Sequence, residues 1–224
     1  MLNWIKQLFG ASNDQNGKTS QQTELIFSDG IRLTKPYELP SSDNSALLEK
    51  IRNARIEQGY VAQSASETLF TCYAEANVDA TQIWKVFRSL CEALLPEQAM
   101  PIIGEIDEEP LHNGRDDQTQ RLLALFERFD YYLANDCYIQ FGLAAQSETE
   151  LTEVFVTPTK HFKIWTSKAD VLASVMNNHG IAKLDKLQFI DEFPRVTTAL
   201  NYKGEFHNYK DLIDYLVDET SSAS

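Results

Sequence analysis

The sequence predicts an α+β fold: a mainly antiparallel sheet with a central three-stranded meander, packed against several interleaved helices. Three observations predict it. Cys137–Ala145, Leu151–Thr157 and His161–Thr166 each alternate, with Ile139, Phe141 and Leu143, then Val154 and Val156, then Phe162 and Ile164 on one face. The joins are short: Gln146–Glu150 is polar and of hairpin length, and Pro158 breaks the second, so the strands pair antiparallel. Around the meander lie segments whose apolar residues recur at helical spacing. The meander's second face carries Phe155 and Trp165, so helices partly cover it or it is a contact surface.

Met1–Phe9 places Leu2, Ile5, Leu8 and Phe9 on one helical face, a docking helix or one packed on its own domain. Residues 11–23 are polar and aperiodic, and read as a linker. Residues 1–23 thus precede a single α+β domain at 24–218, and 219–224 form a disordered tail. Leu25–Leu33 reads as a small hairpin turning at Asp29-Gly30. A helix follows from Asp43 to about Gln58, with Gly59 as its stop.

Thr68–Ala74 reads as a strand. Asp79 and Gln82 then form a capping pair for a helix striped by Ile83, Phe87, Leu90 and Leu94. Met100–Gly104 is a short strand. Asp117 caps a helix with Leu122, Phe126, Phe129 and Leu133 that ends near Asn135. After the meander, Ser167 caps a helix closed by Gly180, Leu187–Ile190 reads as a strand, and Asn208 starts the last helix.

The 224 residues are 43% hydrophobic, enough for one substantial core. The net charge of −13 disfavours nucleic acid and favours a basic partner. Residues 101–155 hold 12 Asp or Glu against three Arg and no Lys, which concentrates the charge in a quarter of the chain. Cys72, Cys91 and Cys137 have no metal or disulfide spacing and read as buried thiols in a reducing compartment. No segment is long and apolar enough for membrane insertion, and the N-terminus lacks a secretory pattern.

No glycine-rich phosphate loop, nucleophile elbow or zinc spacing occurs, and no cofactor is assigned. His112, His161, His179 and His207 are dispersed, and His179 suits a helix end. Glu105, Asp107, Glu108, Glu109, His112, Asp116 and Asp117 offer hard ligands without a calcium-loop pattern. The expectation is therefore an acidic cytoplasmic module that occludes a basic protein, in the way an immunity protein neutralises a toxin domain. Its rim would be Glu105, Asp107, Glu108, Glu109, Asp116, Asp117, Glu148, Glu150 and Glu153, with Trp165 as an aromatic anchor. Tyr131, Tyr132, Tyr138 and Phe155 also fit the apolar stripes poorly. The alternatives are a carboxylate-rich, metal-assisted hydrolase and a small-ligand or structural accessory protein. The sequence carries no signal of oligomeric state.

Overall fold

The structure, a computed structural model, describes residues 25–39, 45–66, 69–107 and 110–221. The N-terminal segment and linker, the Asp43 cap, Thr68, Glu108 and Glu109 lie outside the described residues. In chain order the elements are β1 (Ile31–Leu33), α1 (Ser45–Arg52), β2 (Gly59–Ser64), β3 (Cys72–Asn77), α2 (Ile83–Leu94), β4 (Gln98–Glu105), β5 (His112–Asn113) and β6 (Asp117–Gln118). They continue with α3 (Thr119–Glu127), α4 (Asp130–Asn135), β7 (Ile139–Gln146), β8 (Leu151–Val156), β9 (Phe162–Thr166), α5 (Ala169–Asn178), β10 (Arg195–Thr197) and α6 (Tyr209–Ser221). The fold is α+β.

The main sheet runs β2-β3-β9-β8-β7-β4-β5, with β6 paired to the start of β4, and its strand pairs are antiparallel. The meander is its centre. Register puts Phe141 opposite Val156, and Val156 opposite Phe162. Ile139, Phe141, Leu143, Val154, Val156, Phe162 and Ile164 are fully buried on the inner face, as their alternation requires. Against that face pack the apolar stripes of α2, α3, α4, α5 and α6. The Phe141 ring meets Phe87 at 4.9 Å and Phe126 at 6.1 Å, both edge-on. All three cysteines are free and buried. No helix among the described residues is long and apolar enough to cross a membrane.

Several boundaries differ from those the sequence predicts. Gly59 does not end a helix: α1 stops at Arg52, and Gly59 opens β2. A Cβ there would lie 2.5 Å from Leu184, so this glycine admits the 182–184 segment against the sheet edge. Asp29-Gly30 does turn, with Ile31 N–H donating to Ser28 O, but β1 pairs with β10 and not with residues 25–27. Leu187–Ile190 is not a strand. The Asn77 amide donates to Gln188 O and Gln188 Oε1 accepts from Arg55 N–H, so side chains satisfy groups that a ladder would use.

The helix expected to run to Asn135 breaks at Arg128–Phe129, where Phe129 (φ −127°, ψ 19°) drops between Phe206 and Tyr215. The last helix continues to Ser221, past the expected start of the tail, because Thr220 is buried and its hydroxyl bonds Leu216 O.

Candidate functional site

The corner between α4 and β7 gathers distant parts of the chain. Asp136 is completely buried there. Its Oδ1 accepts Tyr138 N–H at 2.9 Å, and its Oδ2 accepts Leu200 N–H at 3.2 Å and the Tyr202 hydroxyl at 2.9 Å. The fold satisfies this buried charge with donors, as a low-dielectric site requires. Burial and then Asp136 push the Tyr202 phenol far up, so it stays a donor. Lys160, also buried and in a left-handed conformation (φ 62°), donates to Leu133 O at 2.8 Å and Ile139 O at 2.7 Å. Burial pulls its ammonium down to about 8, against the pull of Cys137 and Asp136. Gly30 N–H bonds Asn135 O, and a Cβ at Gly30 would sit 2.6 Å from that same oxygen. Only a glycine allows this crossing.

On this corner stand five tyrosines in a row. Tyr131 meets Tyr132 edge-on at 5.4 Å, Tyr132 stacks on Tyr202 at 4.2 Å, and Tyr138 stacks on Tyr209 at 4.9 Å. Asp136 joins the two halves through Tyr138 N–H and the Tyr202 hydroxyl. Carboxylates close both ends: Tyr131 donates to Asp29 Oδ2 at 2.8 Å, and Tyr209 donates to Glu105 Oε1 at 2.7 Å. The bond to Glu105 pushes the Tyr209 phenol up to about 12. Lys210 lies 3.3 Å from Glu105, and Asp107, exposed with φ 63°, follows just beyond the strand. Tyr131 is 51% exposed and the other four are half-buried, so the row offers rigid, amphipathic contact area beside negative charge.

The eight described residues of the ten expected to form one rim do not come together. Asp117 pairs with Ala99 at one end of β4, and Glu105 faces Ile139 at the other. At the usual rise per residue the two ends are roughly 20 Å apart. Asp116 and Glu150 share an open groove of about 380 Å³ with Gln98, Gln146 and Lys168 at the Asp117 end. Glu148 is exposed on the adjoining hairpin. Asp117 is engaged locally, accepting Gln118 N–H and pairing with Arg121 at 2.7 Å. Among the described rim residues Glu105 bonds the tyrosine row, through Tyr209, and Asp107 follows it two residues on in sequence. Sequence reasoning singled out Tyr131, Tyr132 and Tyr138 but missed Tyr202 and Tyr209, whose signal is tyrosine recurring in the polar segment that leads into the start of α6.

Glu153 and Trp165 lie at neither end. They are opposite one another in register on the outer face of the sheet, with Tyr73 next across from Trp165. Burial alone holds the half-buried Glu153 carboxyl up to about 7. The folded value is raised above the unfolded one, so its contribution to stability is present at low pH and is lost as pH rises from about 4.5 to 7. Glu153→Gln should therefore be more stable than the parent at neutral pH, by up to about 3 kcal/mol, and the gap should close near pH 4.5. Urea unfolding of both proteins across that range measures it. A constant gap would contradict the burial of this carboxylate.

The histidines have local partners. His112 Nε2 is 3.1 Å from Ser221 Oγ, and His179, at the end of α5, is 2.9 Å from Ser89 Oγ. His207 N–H donates to Asp211. His161 is buried with Nδ1 3.0 Å from both Thr157 and Thr159 hydroxyls, and burial pulls it down to about 4, so it is neutral. Thr159, His161 and Glu75 follow the order of a catalytic relay. Yet Nε2 stands 4.0 Å from Glu75, and the cavity beside Thr159 is about 10 Å³, room for one water. Among the described residues no three His, Cys, Asp or Glu side chains converge on a metal-sized site. Comparison with protein-family models, curated proteins and solved structures finds no match to this chain.

Proposed function

We propose that this chain is an acidic cytoplasmic protein-binding module that neutralises or regulates a basic partner by covering it, concretely an immunity-type protein acting on a toxin domain. The observation that carries this reading is the tyrosine row held by buried Asp136 and bounded by Asp29 and Glu105. Tyrosines that are already stacked lose little conformational freedom on binding, which is the property of interface anchors. The net charge of −13 adds long-range attraction for a basic surface. A hydrolase using the acidic loop would need several carboxylates aimed at one cation, and the described residues support the surface reading better.

Asp107, Glu108 and Glu109 adjoin the Glu105 end of the row in sequence, and their charge should act on encounter more than on the bound state. Replacing all three with alanine should slow association about tenfold at low salt and flatten its salt dependence, with little change in dissociation. Stopped-flow association with the partner measures this. An unchanged rate would remove the loop from the interface.

A further inference from the structure

The outer face of the sheet is buried more deeply than its described neighbours explain. At its middle lie Ile102 of β4, Ala144 of β7 and Phe155 of β8, with Met100, Leu111 and Trp165 packed against them. All six belong to strands or to the turn before β5. Helices α2 to α6 pack on the opposite face, and α1 buries none of its residues. The turn at Ile190–Glu192 reaches only the corner at the start of β9, where the Phe189 ring meets that of His161 at 4.8 Å. A Cβ on Gly142 would meet the Phe155 ring at 2.9 Å, so that ring lies over the glycine. On an open sheet its other side would face water. Phe155 is nonetheless 8% exposed, Ile102 6% and Ala144 3%. Burial this deep requires cover, and no described helix gives it.

The cover of an apolar cluster is itself apolar. Outside the described residues lie 1–24, 40–44, 67–68, 108–109 and 222–224. Of these only Met1–Phe9 carries an apolar set, Leu2, Ile5, Leu8 and Phe9, at the spacing of one helical face, with Asn3 opposite Ile5. Its size fits. Nine helical residues span about 13 Å, and the three strand spacings from Trp165 on β9 to Ile102 on β4 span about 14 Å. Its tether fits too. The described chain begins at Leu25 beside the end of β3, where Ala80 N–H donates to Ile26 O. Four spacings, about 19 Å, separate β3 from β4. A chain the length of Gly10–Glu24 spans about 20 Å on average, and such a tether gives a millimolar effective concentration. A second copy carries the same net charge of −13 and is repelled. The residues before Asp14 hold Lys6 and no acid, so they approach Glu75 and Glu153 without like-charge repulsion.

We propose that Met1–Phe9 docks as a short amphipathic helix across the outer face of its own sheet, over Ile102, Ala144 and Phe155. The proposal does not rest on the protein-binding reading above, since the tyrosine row stands on the α4–β7 corner, and it gives Trp165 a contact within the chain.

The test is photo-crosslinking of the purified full chain in dilute solution, with benzoylphenylalanine in place of Ile5 or of Asn3 and the products mapped by mass spectrometry. The Ile5 position should link, within one chain, to outer-face residues of β4, β7, β8 or β9. The Asn3 position, on the opposite side of the helix, should not. Leu8→Asp puts a charge on the docking side and should cut the Ile5 link about tenfold, while the far-ultraviolet circular dichroism stays that of a folded α+β protein. Links from Ile5 only between two chains would give the face to a second copy and overturn the proposal. No link to the sheet would leave the face to another molecule and overturn it equally. Equal yields at Ile5 and Asn3, or an Ile5 link that Leu8→Asp leaves unchanged, would also overturn it. Failure of the tyrosine row is read separately, from capture of the natural partner by a row variant.

Discussion

Asp136→Ala should lower the stability of the protein by about 3–5 kcal/mol, the loss expected when one member of a buried ionic arrangement is removed. The substitution leaves Tyr138 N–H, Leu200 N–H and the Tyr202 hydroxyl without their acceptor. It also leaves the buried Lys160 ammonium without the negative charge that favours its ionised form. Tyr202→Phe removes one donor and keeps the ring, so it should cost only about 1 kcal/mol. Chemical denaturation of both variants measures the contrast. An Asp136→Ala loss as small as that of Tyr202→Phe would mean that the corner does not hold the fold as described. The same variant reaches function, because Asp136 links Tyr138–Tyr209 to Tyr132–Tyr202. It should loosen the tyrosine row even where the protein remains folded.

The second large effect concerns pH. Lys160 has a folded value near 8, below its ordinary value, so between about pH 8 and 10.5 the unfolded chain holds the proton more tightly than the native one. In that window the Lys160 contribution to stability rises with pH, and below it the cost of the buried charge is fully present. The phenols and thiols whose values are raised act in the opposite sense at alkaline pH, so wild type alone would not show the trend. The difference between wild type and Lys160→Met isolates it. That difference should move in favour of wild type by about 3 kcal/mol from pH 8 to 10.5. The carbonyls of Leu133 and Ile139 lose the ammonium donor in the methionine variant at every pH, which sets only the offset. A flat difference would show that Lys160 is not buried as an ammonium.

The meander was legible because alternation states both strand and face: Phe141, Val154 and Phe162 are inside for the reason their spacing gives. The α2 stripe was legible in the same way, with Ile83, Phe87, Leu90 and Leu94 all buried. The failures fall where a residue has two physical uses. Gly59 reads as a helix stop but makes room for the Leu184 side chain at the sheet edge. Phe129 continues the α3 stripe in spacing, yet its ring belongs with Phe206 and Tyr215.

The candidate surface was half legible. Tyr131, Tyr132 and Tyr138 stood out against the apolar stripes, but their partners Tyr202 and Tyr209 arrive across a separation that only tertiary structure closes. The acidic rim was overdrawn for a related reason. Local charge density says nothing about which end of a strand each carboxylate reaches, and β4 carries Glu105 and the neighbours of Asp117 to opposite ends.

Partner capture tests the central claim most directly. Wild type and a Tyr138→Ala, Tyr209→Ala variant would be used as baits in extract from the source cell, at about 50 and 300 mM salt, with recovered proteins identified by mass spectrometry. The account predicts one basic protein on the wild-type bait, reduced at the higher salt and lost from the variant. Recovery of no basic protein, or equal recovery on both baits, would contradict it.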